Sequence, residues 1–179
     1  MYRILCDSYV LYDPRLPDLF LTDPVLKQRK NEPGELTFTI PKEHPFYGSV
    51  EKLKSRVRVY LDNNLIWLGR VIEDELDLYE SRRITAEGAL AFLLDSVVRP
   101  FEFDGSPGGL FAQVLAAHNA QVNENQRFLL GEASVGGTIH RSSEDHLSAW
   151  QFVSSRLLEE LGGYLVVRFD EDENPVLDY

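Results

Sequence analysis

RVRVYLDNNLIWLGRVIEDELDLYESRRITAEGALAFLLD, residues 56 to 95, carries the clearest architecture in the chain. Val57, Val59 and Leu61 alternate with Arg56, Arg58 and Tyr60, the period-2 pattern of a half-buried strand. Asp62-Asn63-Asn64 follows, and Asn and Asp tolerate positive φ, so this is a hairpin turn. Leu65 to Ile72 is apolar on both faces, as for a strand covered on both sides or lining a barrel. Leu76 and Leu78 then alternate with Glu75, Asp77 and Tyr79, which predicts one face inside and one in solvent. Arg83 to Glu87 alternates again. Gly88 breaks the pattern, and Ala89 to Leu94 supplies helix formers. Nothing in this stretch has catalytic spacing.

Upstream, Tyr2–Cys6 and Tyr9–Tyr12 read as short strands around Asp7-Ser8. Pro14, Pro17 and Pro24 make 13–24 an irregular excursion. Val25 to Lys30 and Glu35 to Ile40 are strand candidates flanking Asn31-Glu32-Pro33-Gly34, a turn in which Pro fixes φ and Gly supplies the left-handed position. Leu36, Phe38 and Ile40 share one face. Val50 to Lys54 has room for one helical turn.

The series as a whole resembles a known family. YVLYDPRLPDLFLTDPVLKQRKNEPGELTFTIPKEHPFY at 9–47, GRV at 69–71, EGALAFLLDS at 87–96 and RPFEF at 99–103 run collinearly with it. SPGGLFAQVLAAHNAQV at 106–122 and LGGYLVVRF at 161–169 extend the match almost end to end. The chain is similar to the N-terminal region of phage tail proteins of the prophage endopeptidase tail, or minor structural protein, type. The resemblance implies a siphophage tail-tip or baseplate hub: small β-barrels and mixed α/β modules, assembled as a trimer that closes the tail tube. It implies distal tail and tape-measure proteins as partners, a virion-tail location after synthesis in a bacterial cytoplasm, and any peptidoglycan hydrolase domain lying downstream.

Beyond Asp95 the pattern changes. Ser106-Pro107 is an N-cap and first-turn pair, followed by a helical stripe of Leu110, Phe111, Val114, Leu115 and His118. Residues 119–147 are poorly patterned. Ser148 and Gln151 have capping-box spacing. Trp150, Val153, Leu157 and Leu161 are expected to form the buried stripe of the next helix, which Gly162-Gly163 ends. Tyr164 to Phe169 is a strand, Asp170 to Asn174 an acidic turn, and Pro175 to Tyr179 a returning strand with an unpaired edge. The expected architecture is α+β: a β-barrel-like tail hub domain at 1–95, then a smaller α/β domain at 96–179, incomplete at its C-terminus.

The 179 residues carry 18 Lys+Arg and 29 Asp+Glu, a formal charge of −11. The split is −3 over 1–95 and −8 over 96–179. Tight binding to duplex DNA or an anionic membrane needs cationic surface, so the charge argues against either as a tight partner. No stretch is long and apolar enough to insert into a bilayer. Cys6 is alone, so there is no disulfide framework and no cysteine-rich zinc site.

The residues with chemical potential read as structural. His140 and His146, around Glu144 and Asp145, lack the i, i+4 spacing of a helical zinc motif. Cys6, His118 and Asn119 are the residue types of a cysteine hydrolase, but Cys6 sits in an apolar strand. Ser134 in GEASVGG is one residue out of step with a nucleophile elbow. Glu73-Asp74-Glu75-x-Asp77 places carboxylates on alternating faces, and Asp170 to Glu173 is an acidic hairpin tip, so neither is assigned to calcium. Tyr60, Tyr79 and Tyr164 fall near polar faces, suited to a sugar or a subunit interface. No catalytic, metal or cofactor-binding residue is assigned. The function implied is structural; the alternatives are a tail-associated peptidoglycan hydrolase segment and a carbohydrate-binding host-recognition module.

Overall fold

The computed structural model describes every residue from Met1 to Tyr179, and the chain divides into two compact units, Met1–Ala89 and Leu90–Tyr179. The fold is mostly β, with one large curled sheet and a few helices.

In the first unit, β1 (Tyr2–Cys6), β2 (Tyr9–Tyr12), β3 (Thr22–Lys27), β4 (Glu35–Ile40), β5 (Arg56–Leu61), β6 (Asn64–Leu76) and β7 (Arg82–Gly88) form one sheet. The order across it is β2-β1-β5-β6-β7-β4-β3, with antiparallel neighbours throughout. The sheet is open, with β2 and β3 as its edges. It curls because strands from both ends feed one core: Leu11 from β2 packs in the same cluster as Leu36, Phe38 and Ile40 from β4. The segment after β4 bridges the open side. His44 is buried and donates from Nε2 to the Leu11 carbonyl (2.8 Å), while its Nδ1 accepts from Phe46 N–H (3.1 Å). The Phe46 ring lies 5.0 Å from that of Tyr9. Arg82 on β7 donates to the carbonyls of Tyr47 and Val50 and pairs with Asp74 (2.6 Å).

The β5–β6 turn is the two-residue hairpin its composition predicts: Asp62 and Asn63 both have positive φ (49° and 72°), and Leu61 pairs with Asn64. Val59 pairs with Trp67 and Tyr60 with Leu65, so a bulge here makes Ile66 an extra residue in β6. Tyr60, expected near solvent, is only 5% exposed, with the Arg3 guanidinium 5.3 Å over its ring. A second bulge, between Val71 and Glu73, shifts β6 against β7. Beyond it Leu76 and Leu78 face solvent, against the alternation read from sequence. The strand expected at 25–30 begins instead at Thr22 and runs through Pro24 as an edge, where a missing N–H costs no ladder bond. Residues 52–54 form a turn with Leu53 at φ 62°, and no helix lies at 50–54.

The second unit opens with a 3₁₀ helix, Ala89–Asp95, then β8 (Val97–Val98) and β9 (Phe101–Gly105). Helix α1 (Pro107–Asn119) is capped by Ser106 Oγ, which accepts from Gly109 N–H at 3.1 Å. Leu110, Phe111, Val114, Leu115 and His118 are its buried stripe, as the spacing predicts. Then come β10 (Leu129–Leu130), β11 (Ile139–Ser143), β12 (Leu147–Ser148), α2 (Ala149–Phe152), β13 (Val166–Phe169) and β14 (Pro175–Asp178). β11 pairs with β9 and β12 with β8, both antiparallel.

The capping box at Ser148 and Gln151 is present, but α2 passes into a π-helix over Val153–Glu159. A π-turn inserts residues into the helical phase. The buried residues are therefore Ala149, Phe152, Val153 and Leu157, while Trp150 and Leu161 are only half-buried. Phe152, rather than Trp150, is the core aromatic, edge-on to Phe101 at 5.3 Å.

The last strand has no unpaired edge. β14 is central, antiparallel to β13 on one side and parallel to β10 on the other. Tyr179 is buried against Phe111 (5.5 Å between rings), and its hydroxyl donates to the Gly162 carbonyl at 3.1 Å.

Candidate functional site

The residues with chemical potential are each engaged in holding the fold. Cys6 is fully buried in the core of the first unit, and burial pushes its thiol up to about 12. A thiol with so little thiolate is a poor nucleophile. His118 and Asn119 belong to the second unit. His118 donates from Nε2 to the Gln126 carbonyl (3.0 Å) and accepts at Nδ1 from the Ser96 hydroxyl (2.8 Å). A carbonyl can only accept, so Nε2 carries a proton. Asn119 exchanges two hydrogen bonds with the Phe128 backbone, at 2.7 and 3.0 Å. Ser134 is exposed, its backbone N–H bonded to the Tyr179 carbonyl.

His140 pairs with Asp104 across β9 and β11 (2.7 Å) in an exposed position, where an ion pair contributes little. His146 is exposed, and no three His, Cys, Asp or Glu side chains converge as metal ligands. Asp170 accepts from the backbone N–H groups of Asp172 (3.0 Å) and Asn174 (2.8 Å), bonds that organise its own turn. The Asn174 side-chain hydrogen bond, with these backbone bonds, holds its carboxyl below the usual range. No helix is long and apolar enough to cross a membrane.

What stands out is the end of the β6–β7 hairpin. Leu76, Leu78 and Tyr79 are 66%, 99% and 85% exposed. The loop that carries them is tightly organised. The Asp77 carboxylate accepts from the N–H groups of Tyr79 (2.7 Å) and Ser81 (2.9 Å), and Asp77 N–H donates to the Ser81 carbonyl (2.9 Å). Glu80, at φ 61°, pairs with Lys42, and its carbonyl accepts from the Tyr47 hydroxyl at 2.5 Å. Large apolar side chains on a rigid, exposed tip mark an interaction surface more than a solvated turn. Sequence reasoning placed Tyr79 in solvent but turned Leu76 and Leu78 inward. The available signal was the Asp77-x-x-x-Ser81 turn, which ends the alternation before Leu78.

No protein-family model and no curated protein matches the chain. Solved structures do. The tail protein from Neisseria meningitidis MC58 superimposes with a TM-score of 0.65 at 12% identity, over 98% of this chain and 50% of that one. The prophage tail protein gp18 from Listeria monocytogenes EGD-e gives 0.62 at 12% identity, over 99% and 50%. The E. coli c3393 protein is a type VI secretion component with structural similarity to the T4 bacteriophage tail proteins gp27 and gp5; it gives 0.53 at 14% identity, over 89% and 47%. The chain thus spans about half the length of these structures and has the fold found in prophage tail proteins and a type VI secretion component.

Proposed function

We propose that this chain is part of a structural phage or prophage tail protein: the hub at the tail tip, which closes the tube and joins it to the host-recognition or wall-penetration apparatus. The observation that carries the reading is the fold shared with tail proteins along nearly the whole chain. The collinear sequence motifs and the fold-holding roles of its ionisable side chains support it. On this reading residues 1–95 act as the barrel-like hub module and 96–179 as an α/β module. The protein works by assembly and opening, with no covalent chemistry in these residues. Its partners are other copies of itself in a trimer, then distal tail and tape-measure proteins.

Light scattering tests the assembly. A longer protein containing this chain is expected to be trimeric, and residues 1–179 alone monomeric or weakly associated. A longer protein that stays monomeric at high concentration counts against the hub.

A further inference from the structure

The second unit carries a cleft of about 440 Å³ between the 97–101 segment and α1. Val97, Pro100, Phe101, Val114 and Ala117 give it apolar walls, and Arg99 is the one charged residue lining it. Arg99 is exposed and takes part in no ion pair. The β6–β7 tip has the converse character: Leu78 and Tyr79 project from it, and Glu75 beside them is exposed and forms no ion pair, with Arg83 as its cross-strand neighbour.

We propose that the β6–β7 tip of one copy of this chain docks into the 97–101/α1 cleft of a second copy, with Leu78 and Tyr79 against the apolar walls and Glu75 facing Arg99. This deepens, and rests on, the reading of the chain as a self-assembling tail component. Three observations select a second copy as the occupant. The knob and the hole are both exposed on one sequence. The end of the hairpin is net acidic, with Glu73, Glu75 and Asp77 against an unpaired Arg83, while Arg99 is the cleft's one charge, so an acidic tip meets a local cation in a chain that is otherwise strongly acidic. The tip is already ordered by the Asp77 and Tyr47 bonds, so docking costs little further entropy. A knob and a hole on different patches make a heterologous contact, which generates a ring when its rotation closes.

The test uses two variants of the whole chain that each add one exposed cysteine, Leu78→Cys and Gln113→Cys; Gln113 is exposed and lines the cleft. The buried, poorly ionised Cys6 stays silent. With a short bismaleimide, the mixture is expected to yield a linked dimer and neither variant alone to do so. Adding Glu75→Arg should cut the yield at least about tenfold, and Arg99→Glu on the other partner should restore it. A mixture that links no better than one using Leu53→Cys, an exposed site elsewhere, overturns the contact. So does self-linking by Leu78→Cys alone, which would make the tip a symmetric contact. The hub reading has a separate readout. If the longer protein remains trimeric with Leu78→Asp, the hub stands and this contact falls; if the unmodified longer protein is monomeric, both fall.

Discussion

Gly88→Ala is expected to cost the first unit about 3 kcal/mol or more, a large part of the total stability of a small domain. Gly88 pairs with Gly69 across β6 and β7, and its N–H donates to the Gly34 carbonyl at 3.0 Å. The 31–34 turn is thereby seated directly on the strand. A Cβ at Gly88 would lie 1.8 Å from the Pro33 carbonyl oxygen and 3.0 Å from Trp67 Nε1. The first neighbour is backbone and cannot rotate away. Relief requires lifting the turn or parting β7 from β4, and either exposes Trp67 and Leu36. Gly48→Ala is the control, because nothing lies within 4 Å of its added Cβ. Chemical denaturation of both variants checks the prediction; near-equal midpoints would contradict the close approach at Gly88.

His118→Ala should destabilise the second unit by about 3 kcal/mol, by leaving a cavity and stripping partners from the Ser96 hydroxyl and the Gln126 carbonyl. Hydrogen exchange localises the effect: amides of α1 should lose protection while those of β5–β7 keep theirs. The same residue sets an acid limit. Burial lowers the His118 pKa, an effect only partly offset by the Gln126 hydrogen bond and the Asp95 charge. The unfolded chain therefore takes up this proton at a higher pH than the folded one. The stabilising contribution is complete above about pH 6.5 and is lost as pH falls through the lower folded-state value. Protection of α1 should fall between neutral pH and mildly acidic pH, and His118→Gln should flatten that dependence. An unchanged slope would assign the acid response to other groups.

Much of the first unit is legible in the chain because β1, β4, β5 and β7 bury one face along most of their length, so Ile4, Cys6, Leu36, Phe38, Val57 and Ile84 mark the core by alternation. The misreadings fall where that condition fails. β3 is exposed along nearly its whole length, so no alternation marks where it starts. Both bulges add a residue to β6, Ile66 and Ile72, which interrupts its alternation; Tyr60 is buried and Leu76 exposed against the simple pattern. The π-turn does the same to the second helix, so the residue that starts the expected stripe, Trp150, is not the one that fills the core. The parallel pairing of Leu129-Leu130 with Val176-Leu177 has no local signature, because it joins segments far apart in the chain. The residues chosen as chemically suggestive were legible in type alone. That His118 and Asn119 tie α1 to the 126–128 segment depends on partners that spacing does not reveal.

The central claim is that this chain is a component of the end of a phage-like tail. Immunogold electron microscopy tests it most directly, using antibodies raised against residues 1–179 on particles released from the cells that make the protein. Gold confined to one end of the tails, opposite the head, is the predicted result. Particles with intact tails that carry no label at either end, while the protein is detected in the same lysate, would contradict it.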